Sequence, residues 1–224
     1  MGMLSFPAMD NPLGPAGKVA AWVAVALAVA PPASLHAQKR PAAVALATAS
    51  LAGQSVPVLP ITVVLAQPPL PDSSLPTSRA ALLRWTDSLI AQAFQDRAPE
   101  VKWVWPADLR RMARRSGGLL PEPDNMGQAV MRSWGLKIVP DPLRSNLRRL
   151  TAFASGGSLV VIPASLVIRG GTDGKVYAEL SVCMADVRTG RVAWRTVAPG
   201  EGDSPASALA SALATILLVE GGTE

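Results

Sequence analysis

Apolar and polar positions divide the chain into stretches with different rhythms. Residues 19–30 (VAAWVAVALAVA) are apolar throughout, with Lys18 before them and Pro31, Pro32 and Ser34 after. A charged start, a run of that length and Ala37 ahead of polar Gln38, Lys39 and Arg40 predict a secretory signal peptide over 1–37. A spanning helix needs about 20 apolar residues, and the prolines end this run sooner. Residues 38–55 are Ala-rich without a period and read as a linker. Residues 56–66 (VPVLPITVVLA) are β-branched and apolar, as in a buried strand whose first part Pro57 and Pro60 make irregular. Prolines then fill Gln67 to Pro76, which predicts a loop.

The rhythm next becomes helical. Leu82, Leu83, Trp85, Leu89, Ile90, Ala93 and Phe94 recur at steps of three and four, with Thr77 or Ser78 as cap. Arg79, Arg84, Asp87 and Gln92 fall on the opposite, polar face. Residues 101–105 (VKWVW) alternate as a short strand, and Pro106 opens a short basic helix, LRRMARRS, stopped by Gly117-Gly118. A short helix fits 126–134. Another fits 143–154, with Asp141 as cap and Leu143, Leu147, Leu150 and Phe153 on one stripe.

The last third reads as a meander. Residues 158–168 form a strand bulged or broken at Pro163. In 175–187, Val176, Ala178, Leu180, Val182 and Met184 alternate with Tyr177, Glu179, Ser181 and Cys183. Arg188-Thr189-Gly190 is a tight turn into 191–198, with Val192 and Trp194 facing inward. Asp203 or Ser204 caps a final helix with Pro205 at its first position and Leu209, Leu213, Ile216 and Leu217 on its apolar stripe. The expected fold is one domain over 56–220, an α/β (α+β) sandwich. It has a mixed sheet of four to five strands, a C-terminal antiparallel meander and helices packed on it, and 221–224 form a tail.

Composition narrows the chemistry. The 224 residues contain one Cys and one His, and His36 lies in the predicted signal peptide. A disulfide framework, a Cys-rich metal site and a Ser–His or Cys–His nucleophile are therefore excluded from the mature chain. Cys183 falls mid-strand and reads as a small core residue. Gly170 to Lys175 (GGTDGK) has Arg169 where a phosphate-binding loop needs Gly, and it joins two strands, so it reads as a hairpin turn. The acids Asp72, Asp124, Asp141, Asp173 and Asp203 sit at turns and caps. No catalytic residue, cofactor or metal ligand is assigned, although a carboxylate-dependent hydrolase stays open as an alternative.

Charge is distributed unevenly. The net charge is +5, and residues 97–149 hold eleven Lys or Arg against five Asp or Glu. Arg110, Arg111, Arg114 and Arg115 lie on one predicted helix and Arg144, Arg148 and Arg149 on another. They form a candidate surface for an anionic partner: anionic lipid headgroups, a wall polymer or an acidic protein. A solvated helix face explains the same charges without a partner. Export argues against nucleic acid, and the Trp103–Trp105 pair reads as core.

One stretch carries a resemblance. Asp186-Val187-Arg188-Thr189-Gly190-Arg191-Val192-Ala193-Trp194 resembles the D-x-x-T-G-x-x-x-W hairpin of periplasmic α/β domains. These include the curli-secretion pore family, the outer-membrane activators of penicillin-binding proteins and the amino-terminal domain of TolB. Val58-Leu59-Pro60-Ile61 is similar to their first strand, and the capped terminal helix to their last. A like hairpin occurs in β-propeller blades. The chain departs from the pattern in lacking a lipid-attachment Cys and in carrying Ser155-Gly156-Gly157-Ser158 before the third strand. Nothing in it matches the pore family's membrane-spanning hairpins. The resemblance implies a periplasmic or secreted, non-catalytic accessory domain that docks onto an envelope protein or complex. No transmembrane segment remains after signal cleavage on this reading.

Overall fold

The computed structural model describes residues 43–70 and 75–217. The predicted signal peptide, the start of the linker and the tail lie outside these residues. The described chain is an α/β fold of four helices, three short 3-10 turns and two sheets. The order is β1 (Ser55–Pro57), β2 (Val64–Gln67), α1 (Arg79–Arg97), β3 (Lys102–Val104), α2 (Pro106–Arg115), α3 (Leu143–Ala154), β4 (Leu159–Gly170), β5 (Val176–Asp186), β6 (Val192–Gly202) and α4 (Pro205–Ile216).

The larger sheet has the order β2-β4-β5-β6, parallel between β2 and β4 and antiparallel across the meander. The stretch expected as one strand over 56–66 is divided in two. Its first part pairs with β3 in parallel, and its second pairs with β4. Pro57 and Pro60 have no N–H to give a ladder, which explains the break. A bridge from Val58 to Val161, with the Leu59 N–H donating to the Val161 carbonyl at 2.9 Å, ties the first part to β4 as well.

Two apolar clusters form, one on each face of the sheet. Val161, Leu166 and Ile168 of β4 join Val176 to Met184 of β5, α1 and α4 in one cluster. Val160, Ile162 and Ala164 of β4 join Cys183, Ala185 and the buried side of α3 in the other. The pairing register shifts between Pro163 and Ser165, so even-numbered residues of β4 change face there. A second shift between Met184 and Ala185 acts on β6. As a result Val192 packs on the second cluster and Trp194 on the first, rather than both on one face.

Helix ends follow the sequence closely at α1 and α4. Ser78 accepts from the Ala81 N–H at 3.2 Å, and Ser204 forms a reciprocal capping box with Ser207. At α3 the N-cap is Pro142, and Asp141 accepts from the Ser145 hydroxyl instead of capping. Phe153 is exposed, outside the Leu143–Leu147–Leu150 stripe. Residues 43–55, which read as linker from their composition, place Leu46 and Leu51 in the first cluster. Hydrogen bonds that hold this segment include Val44 N–H to Thr196 Oγ1 at 2.9 Å, Leu46 N–H to the Ile216 carbonyl at 2.8 Å, Trp194 Nε1–H to the Ala45 carbonyl at 3.1 Å and Gly53 N–H to the Glu100 carbonyl at 2.8 Å. An Ala-rich stretch without a period hides such anchoring, because few of its side chains are buried and its backbone makes the bonds.

Helix α4 crosses β6 closely enough that a side chain at Gly200 would collide with the Ala208 carbonyl and the Ala212 amide. Gly200→Ala is therefore expected to lower stability by about 2 kcal/mol through overpacking. Gly135→Ala, with nothing near the added carbon, should have little effect. Urea unfolding of the two variants checks this.

Candidate functional site

The arginines of α2 do not share one surface. Pro106, Leu109 and Ala113 are buried, which turns Arg110 and Arg114 toward α1 and Arg111 and Arg115 toward β3. Arg111 pairs with Asp108 at 2.5 Å on the surface. Arg115 stands exposed beside it.

Arg110 is the anchor of a part-buried ion cluster. Its Nε donates to Asp124 Oδ2 at 2.8 Å and its Nη2 to Asp124 Oδ1 at 2.6 Å, a bidentate clamp. The same Nη2 donates to Asp87 Oδ2 at 2.8 Å. Asp87 is 7% exposed and Arg110 17%. Asp87 Oδ1 accepts from the Ile61 N–H at 2.8 Å. The proline-broken strand leaves that amide without a ladder partner, and Asp87 supplies one. The sequence had placed Asp87 on the solvated face of α1. The correction follows from Ile61 and Arg110, which approach that face only in the folded chain.

Two carboxylates compete for one guanidinium. Asp124 takes two of the three contacts and is half open to solvent, while Asp87 is buried. Burial outweighs its hydrogen bonds and raises the Asp87 carboxyl to about 6, and the paired carboxylates raise Arg110 further above its usual range. Both Asp87 oxygens are occupied, and Asp87 lies beneath the adjoining groove rather than along it. This geometry makes it an anchor for Arg110, not a proton donor aimed at a substrate.

Above the cluster is a groove of about 500 Å³ between α1, α2 and residues 122–125. Arg79, Arg84, Arg110 and Arg114 line it together with Glu122 and Asp124. Arg79 donates to the Thr62 carbonyl at 3.2 Å. Arg84 and Arg114 are exposed. Arg79 and Arg84, which the sequence does not single out, line this groove with Arg110 and Arg114, and their helix carries no long run of like charge. Their spacing from Arg114 exists only in the packed pair of helices.

Two of the three α3 arginines bond to the 186–190 turn. Arg148 Nε donates to the Val187 carbonyl at 2.9 Å and its Nη2 to the Arg188 carbonyl at 2.5 Å. Arg144 also reaches the Arg188 carbonyl, at 3.4 Å, and packs flat against Gly190, where any side chain would collide with it. The two residues hold the 186–190 turn. Asp186 Oδ1 secures that turn from within by accepting the Arg188 and Thr189 N–H groups, at 2.8 and 3.3 Å. Arg149 is exposed and donates to Asn146 Oδ1.

Cys183 is buried in the second cluster, and burial pushes its thiol up to about 11, as expected of a core residue. Trp103 is also core. Its Nε1–H donates to the Ala98 carbonyl at 2.9 Å, and its ring meets Phe94 edge-on at 4.9 Å. Among the described residues, no group of three or more His, Cys, Asp or Glu is placed to hold a metal ion. Among the same residues, no helix is long and apolar enough to cross a membrane.

Neither a protein-family model nor a curated protein matches the chain. Solved structures similar to it include the LpoB C-terminal domain from Salmonella enterica, with 16% identity, 67% of this chain and 82% of that chain covered and a TM-score of 0.35. The PelC dodecamer from Paraburkholderia phytofirmans shows 16% identity, 78% and 89% coverage and a TM-score of 0.35. Lipoprotein GNA1162 from Neisseria meningitidis shows 12% identity, 66% and 83% coverage and a TM-score of 0.36. The activators of penicillin-binding proteins, which the Asp186–Trp194 letters resemble, are thus among the similar structures.

The ion cluster sets a pH dependence. Asp87 binds its proton more tightly in the folded chain than in the unfolded one, so its contribution favours folding below about 4 and is lost as pH rises through about 6. Asp87→Asn keeps an acceptor for the Ile61 N–H and removes the titration. The stability difference between wild type and Asp87→Asn is expected to change by up to about 3 kcal/mol across that window, in favour of wild type at the acid end. Denaturant unfolding at several pH values measures it.

Proposed function

We propose that the chain is an exported, non-catalytic binding domain of the cell envelope that docks onto a membrane protein or complex. It takes an acidic stretch of that partner in the groove between α1 and α2. The observation that carries this reading is the arrangement of Arg79, Arg84 and Arg114 around the rigid Arg110 base. Arg110 is neutralised by Asp87 and Asp124 and holds the groove wall in place. Arg84 and Arg114 have their guanidinium groups in solvent, open to carboxylates of a partner.

The export-type run at 19–30 supports a periplasmic or secreted location. A wall polymer or anionic lipid held by charge is the alternative, with Arg111 and Arg115 on the other side of α2 as its contacts. A carboxylate hydrolase is disfavoured by Asp87, whose shifted carboxyl has both oxygens committed to Ile61 and Arg110.

The test is capture from detergent-solubilised envelope by tagged wild type and by Arg84→Glu/Arg114→Glu, at low and high salt. Wild type is expected to retain one protein, with retention about tenfold weaker in the double variant. Equal retention by both would overturn the groove as the docking site. Retention only of wall or lipid material, lost as the screening length shortens from about 10 Å to about 3 Å, would favour the charge-driven alternative.

A further inference from the structure

The hairpin that carries the resemblance also organises a second surface, which shares no residue with the groove. Residues 128–138 run alongside the start of β6. Arg195 Nη1 donates to the Met131 carbonyl at 2.8 Å and the Ser133 carbonyl at 2.6 Å, and its Nη2 to the Leu136 carbonyl at 3.2 Å. A bridge joins Ile138 to Arg191. The Val139 N–H donates to the Gly190 carbonyl at 2.8 Å, and the Val192 N–H to the Lys137 carbonyl at 2.9 Å. The segment is therefore pinned at both ends and in the middle. What it exposes is fixed by the fold.

It exposes large apolar side chains. Val130 is 43% exposed, Trp134 47% and Ile138 58%. Met131 of the same segment is fully buried and Leu136 packs on the second cluster, so the loop sends two apolar side chains inward and presents Val130, Trp134 and Ile138. Cations lie on the same segment and on the turn that it pairs with. Arg132, Lys137, Arg188 and Arg191 are exposed, and Arg144 and Arg148 bring their guanidinium groups to the same turn through the Arg188 carbonyl. Residues 125–140 contain no carboxylate. Asp141 accepts from Ser145 and Asp186 from the turn's own N–H groups; both keep their charge, and the six cations outnumber them.

We propose that this end of the molecule rests on an anionic lipid bilayer, with Trp134 and Ile138 entering the interface and the ring of Arg and Lys meeting the headgroups. An indole has an apolar body and a polar N–H, and it settles at headgroup depth. Isoleucine and valine beside it add apolar area that charge alone does not explain. Guanidinium and ammonium groups that outnumber the carboxylates there match a layer of phosphates, and neither element suffices by itself. The geometry fits a surface that is anionic at the top and apolar beneath. The surface works whether or not the groove binds a protein, so each can fail alone.

The test is cosedimentation of the protein, purified after export, with vesicles. Pure phosphatidylcholine is compared with phosphatidylcholine containing about 30 mol% phosphatidylglycerol at low salt. Wild type is expected to bind the anionic vesicles and stay in solution with the neutral ones. Trp134→Ser/Ile138→Ser and Arg132→Glu/Lys137→Glu are each expected to weaken binding about tenfold or more, while Arg84→Glu/Arg114→Glu leaves it unchanged. All substituted side chains are exposed, and circular dichroism with a thermal melt checks that each variant is folded. Wild type remaining in solution with anionic vesicles would overturn the proposal. So would Trp134→Ser/Ile138→Ser binding as wild type does. Loss of a captured envelope protein in Trp134→Ser/Ile138→Ser, without vesicle binding by wild type, would overturn it in favour of a protein contact.

Discussion

Strand β4 is the constraint on which the remaining structure depends. It pairs with β5 along its length, with β2 in parallel, and through Val161 with the broken first strand. Its first half is buried on both faces, so Val160 and Ile162 serve one core while Val161 serves the other. A strand buried on both faces reads as a continuous apolar run, which is how SLVVIPASLVI reads. The register shift after Pro163 then turns Leu166 and Ile168 toward the α1–α4 side. Without that extra residue the second half of β4 would direct those side chains to the face that Arg169 and Val167 now occupy.

The broken first strand is the price of a backbone that carries Pro57 and Pro60, and the ion cluster is its consequence. An amide left without a ladder partner at Ile61 draws Asp87 into the interior. A buried carboxylate in turn needs a cation, and Arg110 supplies it while remaining clamped to Asp124. The groove above takes its shape from this chain of requirements. Arg84 and Arg114 stay exposed on its walls once Arg110 has been neutralised.

The basic middle of the chain thus divides by use. Arg110, Arg144, Arg148 and Arg195 bond to carboxylates or carbonyls that the fold leaves unsatisfied. Arg84, Arg114 and Arg115 stand in solvent. The hairpin turn at 186–190 shows both uses together. Arg144 and Arg148 close it from α3, and the same contacts gather cations around the exposed Trp134 loop. A guanidinium that has donated to a carbonyl keeps its charge, so structural arginines still contribute to the field at that end.

Local pattern was enough for the elements whose cause is local. The Ser78 and Ser204 caps, the Pro106 and Pro205 starts, the Leu143–Leu147–Leu150 stripe and the alternation of β5 follow from neighbouring residues, and so did the α/β class with its closing meander. The bulge at Pro163 was legible because proline interrupts a ladder wherever it stands. Other features depend on residues distant in the chain. Asp87 turned inward because Ile61 and Arg110 arrive beside it, and Val192 and Trp194 separated because of a register shift against β5. Leu46 and Leu51 found the core from a stretch with no period to announce them. Charge on a helix can be counted from letters. Which arginine is neutralised, and which is left for a partner, is settled only when packing decides which oxygen atoms lie within about 3 Å of it.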